Sequence, residues 1–237
     1  MTVKPFRLLY ADGELAVAVK SAGILSQKEY GVEEDMVSLL AGHFRDAGEP
    51  AEIYPVHRLD RGVGGVMVYA RTRRSAAALS AAFSDHESTE KEYLAVVRGT
   101  LPSESALLED YLLHDERRRR TTVVEAGNPK GKLARLSLRV LDRAAAADGK
   151  EYSLLSVRLY TGRTHQIRAQ LSSRGYPLAG DGRYGAHDRF PTIALFSARL
   201  SFLHPLSSER MTFEAKPIAT LPFTLFQSLF PKGVSLE

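Results

Sequence analysis

Three short segments gather polar side chains of unlike chemistry in places where an ordinary core has no use for them. They are YPVHRLD at residues 54–60, KEYLAVVRG at 91–99 and TGRTHQIR at 161–168. Between them they offer a carboxylate in Asp60, a phenol in Tyr93, a guanidinium in Arg163 and imidazoles in His57 and His165. Such groups suit proton transfer and nucleophilic attack. Taken singly, each also has a bland reading: His57 to Asp60 as an ion-paired strand end, Tyr93 as a half-buried strand tyrosine.

Other chemistries lack their markers. Cysteine is absent, which removes disulfides, thiolate nucleophiles and cysteine-containing zinc sites. The histidines show no H-x-x-x-H pairing, so metal catalysis has no support in the sequence. There is no G-x-x-x-x-G-K-[ST] loop and no G-x-S-x-G elbow. Gly62-Val63-Gly64-Gly65 falls short of the dinucleotide fingerprint, because Met67 stands where the third glycine belongs. A sharply turning loop between strands is the better reading.

The elements that must position these segments follow from apolar spacing and turn residues. FRLLYA and ELAVAVK flank Asp12-Gly13 and read as a hairpin. Met36, Leu39, Leu40 and Phe44 have helical spacing that stops near Gly48-Glu49-Pro50. IYPVHRLD and GVMVYA read as strands around a loop at residues 61–64, and Thr72 can cap a helix through RRSAAALSAAFSD. KEYLAVVRG is strand-like. KLARLSLRVL and EYSLLSVRLY alternate apolar and polar residues about AAAADGK, which predicts an antiparallel pair with one wet face. THQIRAQLSSRG predicts a helix with Thr164 as N-cap and Gly175 as its stop; GDGRYG is loop. IALFSARLSFLHP and RMTFEA form another strand pair, and PFTLFQSLF a closing helix. Strands outnumber helices without strict alternation, so the expected class is α+β, a largely antiparallel mixed sheet flanked by helices and loops, in a single domain over residues 1–237.

The chain has 237 residues, 44% hydrophobic and 25% charged, with a formal charge of +4, the profile of a folded protein. No run is long and apolar enough to cross a bilayer, and the N-terminus lacks a signal-type apolar region, so a cytoplasmic protein with no membrane partner is expected. The mild positive charge is concentrated: from Arg158 to Arg189 there are six arginines and no lysine, against two acids. The planar guanidinium fork suits phosphate and base recognition, which makes this stretch a candidate RNA surface. HDERRRR, ending at Arg120, reads as an exposed charged loop.

PVHRLDRGVGGVMVYART at residues 55–72 resembles the catalytic motif of RluA-type pseudouridine synthases. KEYLAVVRG, LYTGRTHQIRAQLSSRGYPLAGDGRYG and LFSARLSFLHP are similar, in order and rough spacing, to the later motifs of that family. The resemblance implies the pseudouridine synthase fold and isomerisation of uridine within rRNA or tRNA, with no cofactor and no metal. It places the indispensable aspartate on Asp60, its paired guanidinium on Arg163 and the active-site tyrosine on Tyr93. Arg58 is then the side chain expected to fill the space left by a flipped base, Arg168 a phosphate contact, and His57, His165 and Gln166 residues that shape the RNA site. Whether Asp60 attacks sugar or base, or removes the C2′ proton, stays open.

The sequence departs from the family pattern at two places. Val63-Gly64-Gly65 replaces the usual Thr-Ser-Gly, and the lysine-proline-x-glycine pattern appears as Lys20-Ser21-Ala22-Gly23, a change expected to loosen a turn without reaching the chemistry. No N-terminal S4 domain is expected, since the hairpin begins near Phe6, and a monomer is the expected state. Two competing readings are a catalytically silent RNA-binding protein on the same fold and an unrelated carboxylate enzyme such as a glycosidase. The first leaves the joint presence of Asp60, Tyr93 and Arg163 unexplained; the second lacks a well-placed second acid.

Overall fold

The computed structural model describes residues 4–28, 34–85, 88–188 and 190–230. In chain order the elements are β1 (Phe6–Ala11), β2 (Leu15–Lys20), α1 (Met36–Asp46), β3 (Tyr54–Pro55), β4 (Gly64–Ala70), α2 (Arg73–Asp85), β5 (Glu90–Arg98), β6 (Ser105–Asp115), β7 (Arg120–Val124), β8 (Lys132–Ala145), β9 (Glu151–Leu159), α3 (Gln166–Ser172), β10 (Leu195–Leu203) and β11 (Arg210–Glu214). Short 3₁₀ turns occupy Gly182–Tyr184 and Phe223–Leu225. The class is α+β, as expected. The chain divides into two compact units, residues 1–91 with 197–215, and residues 92–196 with 216–237.

In the first unit the strand order is β1-β2-β4-β10, with β11 pairing β10 and β3 pairing β4. The expected β1–β2 hairpin turns at Asp12, whose Oδ1 accepts the amides of Glu14 and Leu15 at 2.8 and 2.9 Å. The other oxygen of Asp12 lies 3.0 Å from Nε2 of His204, so the histidine of the SFLHP segment has a structural use. Helix α1 begins at Asp35, whose side chain accepts the amides of Val37 and Ser38. Helix α2 begins at Thr72, whose hydroxyl accepts the Ser75 amide at 3.1 Å, and it buries Ser75, Leu79 and Phe83 at four-residue spacing. Leu79 and Phe83 pack with Leu15, Val17, Val66, Val68, Leu200 and Phe202 to form the core.

In the second unit the order is β5-β9-β8-β6-β7. The predicted alternation holds: Leu136 faces Leu159, Leu138 faces Val157 and Val140 faces Leu155 in an antiparallel register, while Arg135 and Arg139 stay exposed. Strands β6 and β7, which frame the HDERRRR turn, had no clear reading in the sequence. Two expectations near helix ends are corrected. Helix α3 is capped by His165, in the left-handed conformation at φ 53°, and not by Thr164. The closing helix is replaced by a single 3₁₀ turn, because Phe223, Phe226 and Leu229 are buried at a spacing of three, the period of that tighter turn. Arg189, the last of the arginine series, lies outside the described residues. Among the described residues no helix is long and apolar enough to cross a membrane.

The glycine that residues 63–65 keep from the family pattern, Gly65, has a packing reason. Gly65 lies in β4 with φ +130°, and a Cβ built there would collide with the backbone N and O of Ser197. Only glycine suits both the dihedral and the space. Gly65→Ala should lower stability by about 2 kcal/mol or more, read as a fall in the urea midpoint with an unchanged slope; a midpoint equal to wild type would show that the close approach is not real.

Candidate functional site

Asp60 sits half-buried in the loop between β3 and β4, and the peptide groups of Leu59, Asp60 and Arg61 are held by hydrogen bonds. Ser26 exchanges hydrogen bonds with Leu59, its hydroxyl donating to the Leu59 carbonyl at 2.8 Å and accepting the Leu59 amide at 3.0 Å. The Val63 amide donates to the Asp60 carbonyl at 2.9 Å. Gly23 and Arg61 are joined twice: the Gly23 amide reaches the Arg61 carbonyl at 2.7 Å, and Arg61 Nε reaches the Gly23 carbonyl at 2.9 Å. Tyr69 completes the clamp, its hydroxyl donating to the Ser26 carbonyl at 3.0 Å; burial keeps this phenol protonated by pushing its pKa far up.

Beneath this loop lies Lys20, fully buried at the end of β2. Its Nζ donates to the carbonyls of Ile24, Ser21 and Arg61 at 2.7, 3.1 and 3.3 Å. Three acceptors match the three hydrogens of an ammonium. Burial pushes the Lys20 pKa down to about 7, and the charge of Asp60 opposes that shift. Lys20, the first residue of the Lys-Ser-Ala-Gly pattern and the one it shares with the family, holds the residue after Asp60 and feels the aspartate's charge. Lysine at a strand end carries no sign of this in the sequence.

His57 and Arg58 precede Asp60 on the same segment. The His57 ring stacks on Phe83 at 4.5 Å, and its Nε2 accepts the Val68 amide at 3.1 Å. Burial, aided by nearby Lys91, pushes His57 down to about 3, so the ring is neutral and serves as a fixed acceptor. Lys91 is itself pushed down to about 8 by burial and lies 5.4 Å from the Phe83 ring centre. Arg58, in contrast, is exposed.

The other predicted residues, Tyr93, Arg163, His165, Gln166 and Arg168, belong to the second unit. Tyr93 is buried on β5. Arg163 is exposed on the loop before α3, its Nε donating to the Leu133 carbonyl at 3.0 Å. That loop is organised by Gln166, whose Oε1 accepts from the Thr161 hydroxyl at 2.7 Å and the Arg163 amide at 3.1 Å, while its Nε2 donates to the Arg135 carbonyl at 3.1 Å. His165 Nδ1 lies 3.0 Å from the Tyr184 hydroxyl. That hydroxyl also accepts the Thr121 amide at 2.7 Å, and burial holds the phenol above its ordinary pKa.

Arg168 departs from its expected place among the phosphate contacts. It is buried, with Nε and a terminal nitrogen on the two oxygens of Asp181 at 2.7 and 2.9 Å and its guanidinium 4.8 Å from the Tyr184 ring centre. A fork so engaged serves the interior. Arg174 is similarly held by both oxygens of Asp110 at 2.9 and 3.0 Å. Of the described arginines in the stretch Arg168 is the buried one and serves as internal bracing, while Arg158, Arg163, Arg174 and Arg183 are exposed. Gln166 is likewise buried, so its part is to shape the loop.

Comparison with known proteins bears on the family and the fold. A family described as RNA pseudouridylate synthase matches residues 14–173. The chain is 33% identical over 228 residues to a ribosomal large subunit pseudouridine synthase D of Zymomonas mobilis, covering 90% of this chain and 69% of that protein. It is 31% identical to an uncharacterized RNA pseudouridine synthase, YhcT, of Bacillus subtilis, covering 88% and 67%. Among solved structures, human RNA pseudouridylate synthase domain containing 1 superposes with a TM-score of 0.76 at 22% identity, covering 92% of this chain and 85% of that one, a likeness of fold.

Lys20 sets a pH dependence for stability. A lysine in the unfolded chain titrates near 10.5 and this one near 7, so between those values the unfolded state binds more protons and stability rises with pH. Lys20→Met should lower stability at pH 7 by about 1–3 kcal/mol through the orphaned carbonyls, and should flatten the rise between pH 7 and 10 in urea unfolding. Parallel pH curves for the two proteins would refute the assignment.

Proposed function

We propose, from the premise that this chain belongs to the RNA pseudouridylate synthase family, that Asp60 is the carboxylate with which it isomerises uridine in RNA. The family's members are isomerases acting on RNA, and the reaction moves the base from an N1 to a C5 linkage on C1′ with nothing consumed. The observation that carries the assignment is the clamp on the Asp60 loop: Ser26, Tyr69, Lys20 and Gly23 fix the backbone on both sides of one half-buried carboxylate. A loop held on both sides while its acid stays within reach of solvent is what a preorganised reactive group needs.

Tyr93 and Arg163 complete the proposed catalytic set on the strength of the motifs that hold them. Tyr93 supplies a ring to stack on the base and a phenol for proton transfer from C5; Arg163 supplies a charged fork to keep a carboxylate ionised. A uridine in folded RNA is unreachable until it leaves its stack, at a cost of a few kcal/mol. The exposed Arg58 is proposed to fill the vacated space. His57, neutral and pinned to Val68, and His165 and Gln166 shape the site. The relatives' names favour large-subunit ribosomal RNA as substrate, with tRNA as the other arm of the test. The whole chain is proposed to act as one catalytic domain, as a cytoplasmic monomer needing neither metal nor cofactor.

Incubated with 5-tritiated uridine RNA, the purified protein should release tritium, and Asp60→Asn should reduce the rate by at least about a thousandfold while RNA affinity changes by less than about threefold. Asparagine keeps the size and hydrogen bonding but not the charge. Full release by Asp60→Asn would remove Asp60 from the chemistry, and no release from either ribosomal or transfer RNA by the wild type would remove the activity.

A further inference from the structure

Arg163 also lines a second feature, which the motif reading does not use. On the second unit a groove of about 380 Å³ runs between the end of β6, the start of β8 and the loop before α3. Its walls carry Lys130, Lys132 and Arg163, with His114, Thr121 and Glu116. Three fixed cations thus face one carboxylate. Both lysines are exposed, and neither ammonium forms an ion pair with a described residue. Elsewhere on this unit exposed cations do find acids: Arg135 pairs with Glu109 at 3.3 Å and Arg143 with Glu104 at 2.8 Å. In the groove the two ammonium groups have no such acid among the described residues.

The floor of the groove is rigid. The Thr121 hydroxyl donates to the Thr164 carbonyl at 2.8 Å, so it can only accept from His114, whose Nδ1 lies 2.9 Å away. Nδ1 therefore carries the proton in this contact. Arg163 is steered from the other side by its Nε bond to the Leu133 carbonyl. The positive surface continues past Glu116 into the exposed arginines of residues 117–120.

We propose that this groove is a phosphodiester subsite, in which Lys130 and Lys132 hold the RNA strand that flanks the target uridine. It rests on the function proposed above and extends it, by assigning part of the substrate affinity to residues outside every motif of the family resemblance. A volume of this size admits a phosphate with its attached ribose. Two unpaired ammonium groups supply the charge, and the contacts carry no sequence information, so they position the strand. Exposed lysines, Lys130 on the loop and Lys132 at the first residue of β8, suit a backbone that must slide into register before the base leaves its stack.

The test is the double variant Lys130→Glu/Lys132→Glu, with Lys150→Glu as the control at the opposite end of the β8–β9 hairpin, about 40 Å away along the strand. With a single-stranded-loop RNA, the double variant should raise KM for tritium release about tenfold or more, with kcat changed much less. Its dependence of log KM on log salt should be shallower by about 1.4, the value for two contacts on single-stranded RNA. A KM and salt slope matching those of Lys150→Glu would overturn the proposal. Inorganic phosphate should fail to displace RNA from the wild type below tens of millimolar; displacement at micromolar phosphate, lost in the double variant, would assign the groove to a small free anion and overturn it as well. Anisotropy of a labelled RNA reads the same affinities without catalysis. A wild type that binds RNA through the lysines but releases no tritium would therefore refute the enzyme reading and leave the groove standing.

Discussion

A loop that presents a reactive side chain cannot also satisfy its backbone in a sheet, and in the first unit that constraint is met by the buried ammonium of Lys20. Its three carbonyl partners come from the strand end, from the loop after it and from the residue following Asp60. Carbonyls turned inward without partners would cost about 1–3 kcal/mol each, more than a short irregular loop can bear. One cation serves all three, sharing the Arg61 carbonyl with the Gly23 amide. Its own desolvation is the opposing term, visible as the depressed pKa, and the negative charge of Asp60 offsets part of it. The aspartate and the lysine are thus coupled through charge and through the backbone between them.

The second unit solves the same problem with neutral groups. Gln166, buried at the first turn of α3, ties together Thr161, Arg163 and Arg135, three points on the loop and the neighbouring strand. An amide has both donors and acceptors, so it can bridge groups of opposite kind, which a lysine cannot. His165 pays for this geometry with a left-handed backbone, and its ring is held by Tyr184. Tyr184 in turn rests on the guanidinium of Arg168, whose charge is neutralised by Asp181. What emerges is a stack of dependencies from a buried ion pair outward to the exposed Arg163.

Which parts of this were legible in the sequence follows from what each part depends on. The β8–β9 pair, α1 and α2 were readable because burial on one face imposes a period, seen in Leu136, Leu138 and Val140 or in Ser75, Leu79 and Phe83. Asp60, Tyr93 and Arg163 were readable as motif members. Strands β6 and β7 were not, because Leu112, Leu113 and the arginine run at the turn mask the alternation of a half-exposed hairpin. Arg168 was misjudged because a charged residue is read by default as lying at the surface, and only its tertiary partner, Asp181, reverses that; the burial of Lys20 on three carbonyls was equally out of reach of the sequence. The closing segment failed because a spacing of three, not 3.6, governs Phe223, Phe226 and Leu229.

The division of labour between the two basic side chains has a physical ground. A buried arginine and aspartate with two matched hydrogen bonds lose most of their hydration, and the Coulomb attraction returns little net stability. What the Arg168–Asp181 pair supplies is direction, because a planar fork on a carboxylate admits one relative orientation of α3 and the 3₁₀ turn that follows it. Lysine is suited to that task only when its partners are carbonyls arranged around a point, which is the case at Lys20 and nowhere near α3. Where the demand is for charge without fixed direction, as on the exposed loop that carries Lys130, lysine is the better choice. The arginine-rich stretch, read from sequence as a surface for RNA, is for that reason partly the frame on which the loop bearing Arg163 is built.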